Sequence, residues 1–129
     1  EGRFAGVDVL SYASTVPSAG KIHIIGDSSA TTQPKAGHIA NQEAKVCADA
    51  LSRILAGGSP DPAPVTNSAC FSTITATQAS WLHAMFQYDP VTRSMVAVPA
   101  ATGASTGWDS ESFKDMGTWF NALMADTFA

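Results

Sequence analysis

Lys21-Ile22-His23-Ile24-Ile25-Gly26-Asp27 is the stretch on which the fold turns. Its β-branched residues favour extended backbone, and a short continuous apolar run ended by Gly26-Asp27 predicts a strand buried on both faces. The texture then changes. Residues 28–37 are Ser, Thr, Ala, Pro and Gly, a loop with Pro34 and Gly37 close to a helix start. From Ala36 onward Ile39, Glu43, Val46, Ala50 and Ile54 step by three or four, and Cys47, Leu51 and Leu55 lie beside them. That period predicts a helix whose apolar face widens towards its end. Gly57-Gly58 stops it, and Pro60, Pro62 and Pro64 prevent resumption. Upstream, Val7, Val9 and Tyr12 suggest a short extended piece, followed by a loop around Pro17.

Beyond the Pro-rich boundary the pattern reads as strand. Residues 69–78 are rich in Thr and Ala, with Phe71 and Ile74. Residues 80–88 alternate, with Leu82, Ala84, Phe86 and Tyr88 on one side and Trp81, His83 and Met85 on the other. Asp89-Pro90-Val91-Thr92 is a turn with Pro in the second place, where its fixed φ fits. Met95 to Val98 returns as a third strand of an antiparallel meander, and a loop runs from Pro99 to Trp108. Residues 110–127 form a closing helix, with Ser110 or Ser112 as its cap and Asp115 completing a capping box with Ser112. Phe113, Met116, Phe120 and Leu123 or Met124 make its core stripe. Trp119 falls off that stripe, which suits contact with a neighbouring domain, a subunit or a planar ligand; plain packing is the alternative. The fold class is therefore α+β.

Composition narrows the function. With 129 residues there is room for one modest core, and 45% hydrophobic against 14% charged residues excludes a disordered tail. The net charge is -4 and no window clusters Lys or Arg, which argues against nucleic acid. No apolar run is long enough for a membrane span. Two cysteines are too few for a disulfide scaffold or a zinc ribbon, and His23, His38 and His83 fall on different elements, so no metal site is expected. The chain opens at Glu1-Gly2-Arg3-Phe4 without an initiator Met or a signal peptide, and reads as a mature or excised piece.

Four features carry chemistry. Gly26-Asp27 places a bare backbone and a carboxylate at the carboxyl edge of a strand, where open α/β sheets bind ligands. The carboxylate suits ribose-type or ribityl hydroxyls; a plain turn is the alternative. The helix start near Gly37-His38-Ile39 offers unpaired amides and a positive dipole end, and Lys35 adds a formal charge beside it; an ordinary helix start with a solvated Lys is the alternative. Cys70 opens a strand, whereas Cys47 lies in an apolar helical stripe as a small core residue. A Cys47–Cys70 disulfide is allowed by the sequence, which gives no distance. Trp119 is the fourth.

In order and spacing these segments resemble a known family. Ile24-Ile25-Gly26-Asp27, Pro34-Lys35-Ala36-Gly37, Ala40-Asn41-Gln42, Ala44-Lys45-Val46, Asn67-Ser68-Ala69-Cys70-Phe71-Ser72, Thr118-Trp119-Phe120-Asn121 and Asp126-Thr127-Phe128 are similar to the carboxyl-terminal part of the flavoprotein subunit of flavocytochrome c sulfide dehydrogenase. Sulfide:quinone reductases are more distant relatives. The resemblance implies that residues 1–58 are the end of an FAD-binding α/β domain and residues 65–129 a small interface domain of antiparallel sheet plus helix. It implies that Gly26 and Asp27 contact FAD, with Asp27 on the ribityl chain. Lys35, Gly37, His38 and Ile39 would face the pyrimidine end of the flavin, and Trp119 would lie near the ring. Cys70 would be one of a redox-active cysteine pair whose partner lies in an amino-terminal dinucleotide-fold region that this chain lacks.

The implied activity is periplasmic oxidation of sulfide, with electrons passing from FAD to a c-type cytochrome subunit. Sulfide attacks a disulfide sulfur through a mixed disulfide, and positive charge at the helix start stabilises the reduced flavin. By that reading the chain alone binds FAD weakly or not at all and is inactive. There is no Cys-x-x-Cys-His, so no haem is attached here. The competing readings are a non-catalytic α+β module whose aromatic surface docks a redox partner, and a related flavoprotein with another sulfur donor or a quinone acceptor. The run 21–25 separates the first two. Left orphaned or exposed it favours a piece of a larger flavoprotein; paired within a complete sheet it favours a module.

Overall fold

A computed structural model describes residues 2–128. The elements in chain order are β1 (Val7–Asp8), β2 (Ala13–Ser14), a 3-10 turn (Gly26–Ser28), α1 (Gly37–Leu55), β3 (Val65–Thr75), β4 (Gln78–Asp89), β5 (Ser94–Ala97), a second 3-10 turn (Pro99–Ala101), β6 (Gly103–Ala104) and α2 (Ser110–Phe128). The fold is α+β, as the residue pattern requires. Contacts divide the chain into two compact units. One runs up to Ser68 and includes Met85–Val98; the other holds Ala69–Ala84 and the chain from Pro99 onward.

In the first unit the antiparallel pair β1–β2 is joined by a tight turn. Asp8 accepts from the amides of Leu10, Ser11 and Tyr12, and Tyr12 takes a left-handed backbone at φ 58°. An L residue in that region costs about 1–2 kcal/mol, and the Tyr12 side chain, wholly buried, offsets it. Its hydroxyl donates to Gln33 Oε1 at 3.2 Å, and Gln33 Nε2 donates to Thr66 Oγ1 at 2.6 Å. Burial, with the negative charge of Glu43 and then Cys47 adding to it, holds the Tyr12 hydroxyl far above its ordinary range. Ile39, Cys47 and Ala50 supply the buried face of α1, and Phe86 and Met95 add to this core from β4 and β5.

The run 21–25 is not the expected buried strand. It makes one bridge, His23 to Ala13, with Ile22 O accepting from Ser14 and Ile24 N donating to Tyr12 O. Ile22 and Ile25 are 58% and 39% exposed. β-branched residues make the backbone extended, but the pairing with residues 12–14 is a single bridge, and among the described residues no further strand continues it into a ladder. The far end of α1 also departs from the sequence reading. Ile54 and Leu55 are exposed, so the apolar face narrows rather than widens. Gly57, at φ +83°, ends the helix as expected.

The sheet has the order β3-β4-β5, with β6 also paired to β4. Phe86 faces Ala97 and Asp89 faces Ser94 across the β4–β5 hairpin. The Asp89 side chain closes its turn by accepting from Val91 N, Thr92 N and Thr92 Oγ1, and these bonds hold its carboxyl below the usual range. Along β3 the inward-facing residues are Thr66 and Ser68, then Ala69 and Phe71. The parity changes between Ser68 and Ala69, where one unit gives way to the other. The uniform two-sided alternation expected for β4 fails for the same reason: Ala79 and Phe86 are buried while Leu82 is half exposed.

In the second unit α2 carries the aromatic contact. Phe71 and Trp119 lie 5.5 Å apart between ring centroids, tilted at 41°. Trp119 is half-buried and Phe120 is 50% exposed, the reverse of the expected stripe. The rest of the stripe stands, with Phe113, Met116, Leu123 and Met124 turned inward; only Trp119 takes the place expected of Phe120, and Ser112 joins it as a buried residue. The cap of α2 is Asp109, not Ser110 or Ser112: its Oδ1 accepts from Ser112 N at 2.6 Å. Hydrogen bonds from the Ser112 amide and hydroxyl keep its carboxyl below the ordinary range.

The buried relay gives a stability test. Gln33→Leu leaves the Tyr12 hydroxyl and Thr66 Oγ1 without their partner, so urea denaturation should show a loss of about 1–3 kcal/mol. A midpoint equal to that of the unsubstituted chain would show that the relay contributes nothing.

Candidate functional site

Gly26 leads into the site with φ +73°, a conformation that L side chains rarely adopt. An added Cβ would also come within 3.4 Å of Ala40 Cβ. The Gly26 turn is therefore fixed by its own backbone and by α1. Its anchor is Glu43, which is 1% exposed. Glu43 Oε2 accepts from Gly26 N at 2.5 Å and from Ser29 Oγ at 3.3 Å, and Oε1 accepts from Thr31 Oγ1 at 3.3 Å. Burial raises the Glu43 carboxyl above its usual range, and the hydrogen bonds from Gly26, Thr31 and Ser29, together with the Lys35 charge, pull against that shift.

Sequence reasoning placed Glu43 in the stripe of α1 but gave it no role. The available signal was an acid at a core position of an amphipathic helix, which demands buried partners. Lys35 reaches back to donate to Ser29 O and stands 4.9 Å from the centroid of the Phe4 ring. It is thus tied to the loop rather than simply solvated.

Asp27 follows Gly26 with an exposed side chain. The start of α1 is open. Ala36 is its N-cap and supplies no side-chain hydrogen bond, and the first turn holds no acid. Gly37 is exposed, has no positive φ, and a Cβ added there would meet nothing within 4 Å. Neither strain nor crowding within the described residues calls for glycine at 37. Ile39 is 2% exposed, so its side chain belongs to the core and only its amide faces the helix start. His38 is half-buried. The structure thus gathers Gly26, Lys35, Gly37, His38 and Ile39 around one turn and one helix start, linked through Glu43.

Cys70 and Trp119 belong to the other unit. Cys70 is exposed on β3 and Cys47 is buried, both as free thiols. Burial pushes the Cys47 thiol up, in keeping with a core role. Successive strand residues point to opposite faces. Cys70 therefore projects away from the face on which Phe71 meets Trp119. On that second face a cleft of about 380 Å³ is lined by Ala69, Phe71, Trp81, Leu82, His83 and Asp115. Trp81 and His83 stack there at 5.1 Å. The sequence pattern did not single out this aromatic cleft, because i and i+2 residues of β4 join it to β3 and α2 only in the folded chain.

Residues 62–128 match the family model described as flavocytochrome c sulphide dehydrogenase, flavin-binding. The chain belongs to that family. The match covers just over half of the residues and includes Cys70, the aromatic cleft and Trp119. It identifies a flavoprotein domain of an oxidoreductase family that takes its name from a flavocytochrome. The Gly26 turn and the start of α1 precede the matched span. No helix among the described residues is long and apolar enough to cross a membrane, and no group of three His, Cys, Asp or Glu there could hold a metal ion.

Glu43 yields a pH test with a fixed sign. A carboxyl whose folded pKa is raised contributes stability below its unfolded value, and that contribution is lost as pH rises through the folded value. Glu43→Gln should remove this loss, so its stability should fall less than that of the unsubstituted chain as pH climbs from 4 through the raised value. Parallel pH–stability curves would show that Glu43 does not carry the dependence. Glu43→Ala should destabilise at every pH, because the donors of Gly26, Ser29 and Thr31 lose their acceptor.

Proposed function

We propose that this chain is the part of an FAD-dependent sulfide dehydrogenase that holds the flavin and offers a reactive thiol, with a c-type cytochrome as electron acceptor, in the periplasm. The family match supports the flavoprotein role, and the start of α1 supports its location. The single observation that carries the reading is Gly37. It fronts a helix start whose N-cap residue makes no side-chain hydrogen bond and whose first turn holds no acid, and nothing among the described residues requires it to be glycine. A planar group approaching the backbone needs that space, and the amides behind it favour negative charge.

The residues present fit such a group. Gly26, fixed by Glu43, turns the chain so that Asp27 leads outward with an exposed carboxylate able to accept hydrogen bonds from ribityl hydroxyls. Lys35 and the first amides of α1, at Gly37, His38 and Ile39, supply positive potential for the pyrimidine edge. FAD, when bound, supplies the two-electron redox chemistry. The chain's own residues bind and orient it and stabilise charge. Cys70 is the proposed member of a redox-active disulfide: sulfide attacks one of its sulfurs, the S–S bond breaks, one cysteine becomes the persulfide and the other leaves as a thiolate, whose electron pair the flavin would accept. Its exposure meets the access that this exchange needs. Its partner cysteine would come from an amino-terminal dinucleotide-fold region. Trp119, tilted against Phe71, is the proposed aromatic neighbour of the ring system. Residues 1–58 would close the FAD domain and residues 65–129 would form the interface domain. The exposed Ile22 and Ile25 support this reading, since further strands of a larger flavoprotein sheet would cover them.

A second reading draws on the aromatic cleft. Exposed Leu82 beside the Trp81–His83 stack suits a docking surface for a redox partner in place of catalysis. A different sulfur donor or a quinone acceptor would leave the flavin-holding residues unchanged.

Gly37→Ala separates these possibilities. It should leave thermal stability unchanged or slightly raised, since Ala is the better helix former by about 1 kcal/mol at interior positions, while flavin occupancy of the holoprotein falls several-fold. Full flavin content would remove Gly37 from the site. Asp27→Ala should likewise lower occupancy. Cys70→Ser should retain flavin but abolish sulfide-dependent cytochrome reduction; turnover at the original rate would exclude Cys70 from the chemistry.

A further inference from the structure

A cavity of about 510 Å³ in the first unit has been given no role so far. Its volume falls inside the range of small-molecule pockets, roughly 300–1,000 Å³. Arg3 and Arg93 stand in its lining with the hydroxyl residues Thr31, Thr32 and Ser94, and no carboxylate lines it. Phe4, Val7 and Val9 form an apolar wall. A chain with a net charge of -4 thus turns locally positive here.

Among the described residues the ion pairs Arg53–Asp49 and Lys114–Glu111 leave Arg3 and Arg93 out. Two cations flank one ring: Arg3 Cζ is 5.6 Å and Lys35 Nζ 4.9 Å from the Phe4 centroid. Arg93 sits at φ 54° at the end of the β4–β5 turn, where the Asp89 carboxylate is already occupied by Val91 and Thr92. Thr32 Oγ1 donates to Met95 O, and Thr31 Oγ1 donates to Glu43, so the loop floor is tied down on both sides. Guanidinium groups recognise phosphate and carboxylate in bidentate fashion, and aromatic faces accept flat apolar bodies.

We infer that this cavity binds an organic anion, a phosphate-type head between Arg3 and Arg93 on a flat apolar body that rests against Phe4, Val7 and Val9. The cavity adjoins the Gly26–Gly37 region through Thr31 and Thr32, but its two arginines are none of the residues assigned to the flavin, and its occupancy does not rest on the flavin reading.

The test uses phenyl phosphate as the probe, followed by amide NMR shifts in the purified protein, with inorganic phosphate and phenol as separate arms. Phenyl phosphate should saturate with shifts centred on Thr31, Thr32 and Ser94. Inorganic phosphate alone should bind at least tenfold more weakly, and phenol should give no saturable shift there. Arg93→Gln and Arg3→Gln should each weaken phenyl phosphate at least tenfold while leaving thermal stability unchanged, and raised salt should weaken it further. Equal affinity for phenol, shifts centred elsewhere, or full affinity in both arginine variants would each overturn the inference. Should an arginine variant unfold, the comparison of probes on the unsubstituted protein still decides.

Discussion

The buried carboxylate of Glu43 is the constraint around which the first unit is organised. One side chain accepts from the backbone of Gly26 and from the hydroxyls of Ser29 and Thr31, so a single helix position fixes a loop that begins 17 residues earlier. Burying an ionisable group is costly unless its oxygens are satisfied, and here three donors converge on it. The turn cannot shift without stripping one of them. Because Glu43 lies on the helix whose start is open at Gly37, the same contact sets the turn and the helix start in one frame.

A second polar relay performs a similar task nearby. Tyr12, Gln33 and Thr66 connect the turn after β1, the loop before α1 and the start of β3 through wholly buried groups. Apolar burial in this unit is modest: Val9, Ile39, Cys47, Ala50, Phe86 and Met95 are its buried hydrophobic residues, with Tyr12 the largest. Hydrogen bonds add specificity where apolar contact is sparse, since each unmet buried group would penalise alternative packings. The exposed Ile22, Ile25, Ile54 and Leu55 mark faces that this chain leaves uncovered.

The second unit is built differently. It relies on aromatic surfaces, with Phe71 against Trp119 and Trp81 against His83, and on an Asp109 cap that starts α2. The family match spans all of its described residues. Cys70 and Trp119 share this unit, but Cys70 projects from the face of β3 opposite the one on which Phe71 meets Trp119 of α2, so any common role would act through two different surfaces of the strand. That geometry is the sharpest constraint on the proposed thiol chemistry.

Local rules determined much of this protein from sequence alone. The helical period and the Gly57-Gly58 stop marked α1, Pro90 in the Asp89 turn marked the β4–β5 hairpin, and the order of short segments marked the family. These depend on spacing and turn chemistry, which are properties of neighbouring residues. Tertiary structure decided what neighbours cannot. An apolar run such as 21–25 becomes a buried strand only if two partners flank it, and here one does. Trp119 rather than Phe120 turns inward because the sheet face it meets is fixed by β3. Glu43 reads as an anomaly on a helix until the Gly26 loop, distant in sequence, folds onto it and supplies the donors that make its burial tolerable.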